Sequence, residues 1–114
     1  MKDAIRTTEL VSFYKALASR SRLRILSLVA KRPLCVCALA RSLGVSQPAV
    51  SQHMEVLKGA RLVIGERSGV MVHYRLNREQ LRVIEGFTEL LLGRSQEVVH
   101  ACDGTKGDRE SEQE

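Results

Sequence analysis

The sequence predicts a mainly α-helical protein with a small β-hairpin: a winged helix-turn-helix of five helices, paired as a homodimer. Three observations carry that expectation. Residues 35–58 read as two helices joined by a Gly-centred turn, two β-rich runs follow directly, and helical apolar spacing flanks the whole on both sides.

The bulk numbers narrow the field first. At 114 residues the chain suits one domain, residues 1–102, with an acidic tail at 103–114 read as disordered. A single core this small gains stability from a dimer interface. The net charge of +5 hides an asymmetry: the tail holds five acids and two bases, leaving 16 bases and 8 acids in the body. A body of net charge +8 favours a polyanion, nucleic acid first, although a solvated basic surface gives the same count. No run of about 18 apolar residues offers a membrane span, and the N-terminus lacks the apolar core of a signal peptide, so a cytoplasmic location is expected. Three cysteines, an odd number in a reducing compartment, point to free, metal-binding or redox-active thiols rather than a disulfide scaffold.

In chain order, residues 3–18 carry Leu10, Phe13, Tyr14, Leu17 and Ala18 at helical spacing. A second helix is expected from Ser21, which would cap it, with Leu23, Leu26 and Ala30 lining one face and Ile25, Leu28 and Val29 widening it. Pro33 stops this helix, and Lys31 and Arg32 suit its negative end. A third, short helix over 35–43 places Val36, Leu39, Ala40 and Leu43 on one face. Gly44 supplies a left-handed turn, Ser46 caps the fourth helix, and Pro48 falls in its first turn, where a missing amide costs little. Val50, Met54 and Leu57 should face inward, leaving Gln47, Ser51, Gln52, Glu55 and Lys58 outside. Short polar residues at the start of such a helix are what base edges need.

The runs 62–64 and 70–74, separated by Gly65–Gly69 with Ser68-Gly69 as turn dipeptide, predict a hairpin, and a hairpin after a reading helix is a wing. Arg67 lies near its tip, placed for phosphate or a minor groove. A last helix over 78–100 shows two apolar rows, Leu81, Ile84, Leu91 and Val83, Phe87, Leu90, of which one needs a partner. No nucleophile-base set, phosphate loop or metal-hydrolase motif is present, so the sequence argues against an enzyme and for no organic cofactor.

The cysteines carry the remaining chemistry. Two thiols at Cys35 and Cys37 favour a soft ion; trivalent arsenic and antimony prefer three sulfurs, whereas zinc and cadmium prefer four ligands. With Cys102 as a third thiol, supplied by either subunit, the count suits a trivalent metalloid. In a regular helix, side chains two residues apart point about 200° apart, so gripping one atom would distort the first turn of the third helix. The bland alternative is two small buried side chains and a spectator at Cys102.

The order of these motifs resembles the ArsR/SmtB family of winged-helix repressors. The resemblance rests on Leu17-Ala18-Ser19, Arg22–Leu26, Leu34-Cys35-Val36-Cys37, Gly44-Val45-Ser46, Val50–His53, residues 57–63 and Tyr74-Arg75-Leu76, and spans residues 9–92. It implies a homodimer through the first and last helices, bound to double-stranded operator DNA and released by an effector. It also implies DNA contacts from Ser46, Gln47, Ala49, Ser51, Gln52 and His53, with Arg67 on the wing. Residues 33–40 resemble the start of the third helix in the arsenic-sensing branch, keeping the cysteine pair but not the flanking acids or a third cysteine in the helix. Arg61 stands where many members have Gly and is expected to take an unusual backbone angle. Two rival readings share the scaffold: a thiol-redox or persulfide sensor pairing Cys35 or Cys37 with Cys102, and a DNA-binding protein with inert cysteines.

Overall fold

The computed structural model describes residues 7–94, in the order α1 (Thr7–Leu17), α2 (Arg20–Val29), α3 (Val36–Leu43), α4 (Gln47–Gly59), β1 (Val63–Ser68), β2 (Met71–Leu76) and α5 (Arg78–Leu91). This is a winged helix-turn-helix, with α3 and α4 as the helix pair and an antiparallel β1–β2 hairpin as the wing. Cys102, residues 95–100 and the acidic stretch 103–114 lie outside the described residues. The chain divides into two compact units, Arg6–Leu81 and a second that takes in α5 from Arg82 onward.

The first unit closes over Ile25, Val29, Leu39, Val50, Met54, Leu57 and Leu62, all essentially without solvent contact. Each such side chain contributes about 1.5–3 kcal/mol by leaving water. Helical period explains the α4 members: Val50, Met54 and Leu57 are i, i+4 and i+7 on one face. The same rule misplaced part of α1 and α2. In α1 the buried residues are Leu10, Phe13 and Ala16, while Tyr14 is exposed and Ala18 lies beyond the helix. In α2 the core face is Ile25 and Val29, and Leu23 is half exposed.

Caps fix the helix starts. Ser19, not Ser21, caps α2: its backbone is extended and its hydroxyl accepts from the Arg22 N–H at 3.2 Å. The cap therefore lies two residues earlier than the sequence suggested, with Ser21 inside the first turn of the helix. At the other end of the described chain, α5 stops at Leu91; residues 95–100 of the expected helix lie outside the described residues. Gly93 is left-handed (φ 76°), its N–H donates to the Leu90 carbonyl, and the Arg94 N–H donates to Glu89. That is a Schellman stop, and glycine is the residue it favours. Of α5, Ile84 is buried, whereas Val83 and Leu91, one from each predicted row, are exposed.

The wing is longer than expected. Residues 65–68 are strand rather than loop, Ser68 pairs with Met71, and the two turn residues are Gly69 and Val70. Gly69 alone has positive φ (66°), the pattern of a type II′ hairpin turn. Gly65 sits opposite Tyr74 and lets the ring lie across the strand; a Cβ there would meet Tyr74 Cε1 at 3.0 Å and Val72 Cγ1 at 3.1 Å.

Candidate nucleic-acid interface and thiol pair

The outward face of α4 follows from how its start is built. Gly44 turns the chain at φ 70°, and the N–H groups of Gly44 and Val45 both reach the Ala40 carbonyl, at 2.8 and 3.2 Å. Ser46 is extended, and its hydroxyl accepts from the Ala49 N–H at 3.2 Å. Pro48 occupies the first turn, where its missing amide leaves no bond unmade. Gln47, Ser51 and Gln52 are then exposed, Ala49 is partly so, and the opposite face is core. The Ser46 hydroxyl uses one lone pair on its own helix, which leaves its donor hydrogen and a second lone pair for another molecule.

His53 sits partly buried on this helix, with Nδ1 3.3 Å from Arg22 Nη1. The same guanidinium donates from Nε to the Ala16 carbonyl at 2.6 Å and from Nη2 to Lys15 at 3.2 Å. Arg22 thus closes the C-terminal end of α1 and ties it to α4. Its fork is bound within the protein. Nothing in spacing distinguishes it from Arg20 and Arg24, both of which are exposed.

The C-terminal end of α4 is locked in a different way. Arg61 is left-handed at φ 63°, as expected from the position, with its N–H on the Lys58 carbonyl and the Leu62 N–H on Leu57. Leu57 and Leu62 are both fully buried, completing the Schellman motif with its apolar contact. The start of α5 grips this corner: Asn77 Nδ2 donates to the Arg61 carbonyl at 2.8 Å and Gln80 Nε2 to Ala60 at 3.1 Å. One exposed pair lies further along α4, where Lys58 Nζ is 3.1 Å from Glu55; that hydrogen bond is the main cause of a raised Lys58 pKa.

In the wing, Arg67 is exposed on β1 opposite Val72, two residues from the turn. Its neighbour Glu66 reaches across to Arg75, 2.8 Å away on β2. Val70 stands at the tip with 91% of its surface open.

The thiols are placed differently from the sequence expectation. Cys35 is not in the helix: it is the N-cap of α3, extended at φ −88° and ψ 167°, with no side-chain cap hydrogen bond. Cys37 lies in the first turn, and both thiols are free and half-buried. The cause is Leu34, whose N–H donates to the Tyr74 carbonyl at 3.0 Å and whose carbonyl accepts from the Tyr74 N–H at 2.8 Å. This bridge to β2 keeps the chain extended up to Cys35, so α3 cannot start before Val36. The 200° separation of a regular helix therefore does not apply to the pair, and no helical turn has to unwind at Cys35. Sequence alone offered only a single Leu between Pro33 and Cys35, too short a run to read as strand. Among the described residues no group of three or more Cys, His, Asp or Glu converges on one point, so Cys35 and Cys37 account for two ligands at most.

Comparison with known proteins bears on this arrangement. Residues 19–64 match the family described as bacterial regulatory protein, arsR family. The HTH-type transcriptional regulator Rv2034 of Mycobacterium tuberculosis is 39% identical over 97 residues, covering 81% of this chain and 91% of that one. The transcriptional repressor SmtB homolog of Synechocystis sp. is 44% identical over 60% of this chain, and the arsenic resistance regulator ArsR1 of Pseudomonas putida 34% identical over 74%. The aligned part spans 52% of the first of these two relatives and 66% of the second. Among solved structures, the homodimeric winged helix-turn-helix DNA-binding domain Mb0332 of Mycobacterium bovis matches with a TM-score of 0.63 at 25% identity, over 85% of this chain and 94% of that one. Reduced HlyU of Vibrio cholerae matches with a TM-score of 0.60 at 32% identity, over 75% and 90%.

Proposed function

The chain belongs to the arsR family of bacterial regulatory proteins, and from that premise we propose that it is a dimeric repressor that releases operator DNA when trivalent arsenic or antimony binds its cysteines. The observation that carries this reading is the position of the thiol pair. Cys35 and Cys37 straddle the start of α3, and α3 leads through Gly44 into α4. The residue before Cys35 is hydrogen-bonded in both directions to the wing. A ligand that draws the two sulfurs together turns the N-cap and pulls on Leu34, so both proposed DNA-contacting elements move with one event.

In this proposal Gln47, Ala49, Ser51 and Gln52 reach base edges, Ser46 and Arg67 meet the backbone, and His53 borders the contact while held by Arg22. Cys102, outside the described residues, completes a three-sulfur site from its own or the partner subunit. Dimerisation buries apolar residues that α1 and α5 expose, Val11 and Tyr14 on one and Val83 and Leu91 on the other. The homodimeric state of the M. bovis neighbour supports this part.

Fluorescence anisotropy on DNA from upstream of the chain's own coding sequence tests the whole, titrating arsenite, antimonite, bismuth, cadmium and zinc. Release by arsenite or antimonite at near-stoichiometric concentration, lost in Cys35→Ser and Cys37→Ser, is the expected outcome. Release by zinc or cadmium alone would replace the metalloid with a four-coordinate metal. X-ray absorption of the arsenite complex then counts sulfurs, three in the parent and two in Cys102→Ser.

A second reading has one observation in its favour. Two accessible thiols without a third ligand among the described residues also suit reversible oxidation, and a structural neighbour was solved in a form described as reduced. Release by mild oxidant but not by arsenite would select it.

A further inference from the structure

Lys31, Arg32 and Arg41 converge on one groove that no α4 residue lines, and nothing in the proposed reading surface uses them. The groove, about 500 Å³, runs between the end of α2 and the outer side of α3, with Leu28, Leu34 and Ala38 as its apolar floor. All three cations are exposed, and none is in an ion pair among the described residues.

The ordinary explanation is that cations collect at helix C-termini, where the dipole is negative. It accounts for Lys31 and Arg32 after α2 and for Arg41 in the last turn of α3. The same rule, however, predicts acids at helix N-termini, and here it fails in one region only. The first turns of α2, α3 and α4 contain no acid, whereas the flanking α1 and α5 carry Glu9 and Glu79 there. Between Glu9 and Glu55 the chain has no Asp or Glu at all. Helix electrostatics would favour acids at those three starts; a polyanion lying across all of them would disfavour them. The acid-free stretch also contains the exposed start of α4, so the groove and the proposed reading surface belong to one stretch of sequence without acids.

We propose that this groove is a second contact for the DNA sugar-phosphate backbone, beside the segment read by α4, with Lys31, Arg32 and Arg41 each meeting a phosphate. The inference rests on the DNA-binding reading above. Leu34 forms part of the floor and also the bridge to Tyr74, so the contact sits next to the thiol pair.

The test is the salt dependence of binding, measured by anisotropy on the upstream duplex and on a random-sequence duplex of the same length. Removing one phosphate contact lowers the slope of log K against log salt by about 1 and weakens both duplexes by the same factor. The K31A/R32A double variant should lose about 2 from the slope and R41A about 1, with specificity between the two duplexes unchanged. The R41K variant should restore the slope, and circular dichroism should match the parent throughout. Gln52→Ala gives the contrast, lowering preference for the upstream duplex with the slope nearly intact. A parental slope in K31A/R32A and R41A overturns the groove contact. Stabilisation of the parent by inorganic phosphate, absent from those variants and accompanied by an unchanged DNA slope, overturns it in favour of a small-anion site. If the parent binds neither duplex, the DNA-binding reading itself fails, and that result is distinct from both.

Discussion

The two helices of the helix-turn-helix begin in contrasting ways, although they are neighbours in the chain. At α4, Ser46 caps the start with a 3.2 Å bond, Pro48 presets the first turn, and three buried side chains hold one face. At α3, the N-cap is a cysteine that makes no cap bond, and what fixes the start lies outside the helix, in the Leu34–Tyr74 bridge. The difference teaches how one short unit can combine fixity and response. A reading helix must present its side chains in one geometry, so its own residues satisfy its end. The start of its supporting helix has no side-chain cap among the described residues, a place where sulfur chemistry can act without first breaking a cap.

The largest effect expected from probing this contrast is at Leu39, fully buried on α3. If burial rather than capping holds that helix, Leu39→Ala should cost about 2–5 kcal/mol in urea unfolding, a large share of a small domain's stability. A loss under 1 kcal/mol would mean that α3 is held elsewhere. Next come the caps themselves, with opposite signs. Ser46→Ala should cost about 1 kcal/mol, while Cys35→Ser should gain several tenths by adding the missing cap, and at the same time abolish the arsenite response. A Cys35→Ser protein that melts earlier than the parent would show that the thiol already stabilises the helix.

The far end of α4 qualifies the picture of a strain-free reading helix. Arg61 holds a left-handed angle that costs a non-glycine residue about 1 kcal/mol, so Arg61→Gly should raise Tm by a few degrees. No change in Tm would mean that the Asn77 bond or the denatured state offsets the strain. The smallest effect belongs to the wing, where the exposed Glu66–Arg75 pair should contribute under about 1 kcal/mol and fade with salt. Arg75→Ala is expected to leave Tm nearly unchanged and gives the baseline against which the other variants are read.

Much of this arrangement was legible in the residues because it depends on neighbours in the chain. Gly44 at a helix end, Ser46 and Pro48 at a helix start, and Val50, Met54 and Leu57 at helical spacing each specify their structure within a few positions. Arg61 was legible for a different reason, because it stands where the family that the chain resembles often has Gly. The cap of α2 was harder: Ser19 and Ser21 both qualify, and local chemistry does not rank them. The wing was read too short because Glu66, Arg67 and Ser68 are polar, and only pairing with β2 makes them strand.

What the sequence by itself determined, then, is the order of elements, the reading helix and its polar face, and the presence of a soft-ligand pair at the start of its support. Those features follow from backbone propensity and period, which act over one or two turns. Only the tertiary structure decided that Cys35 stands outside the helix, that Leu34 joins it to the wing, that Arg22 is bound between α1 and α4, and that three cations share a groove. Each of those depends on groups far apart in the chain meeting in space. Leu34 and Tyr74, forty residues apart, exchange two hydrogen bonds that no local pattern records.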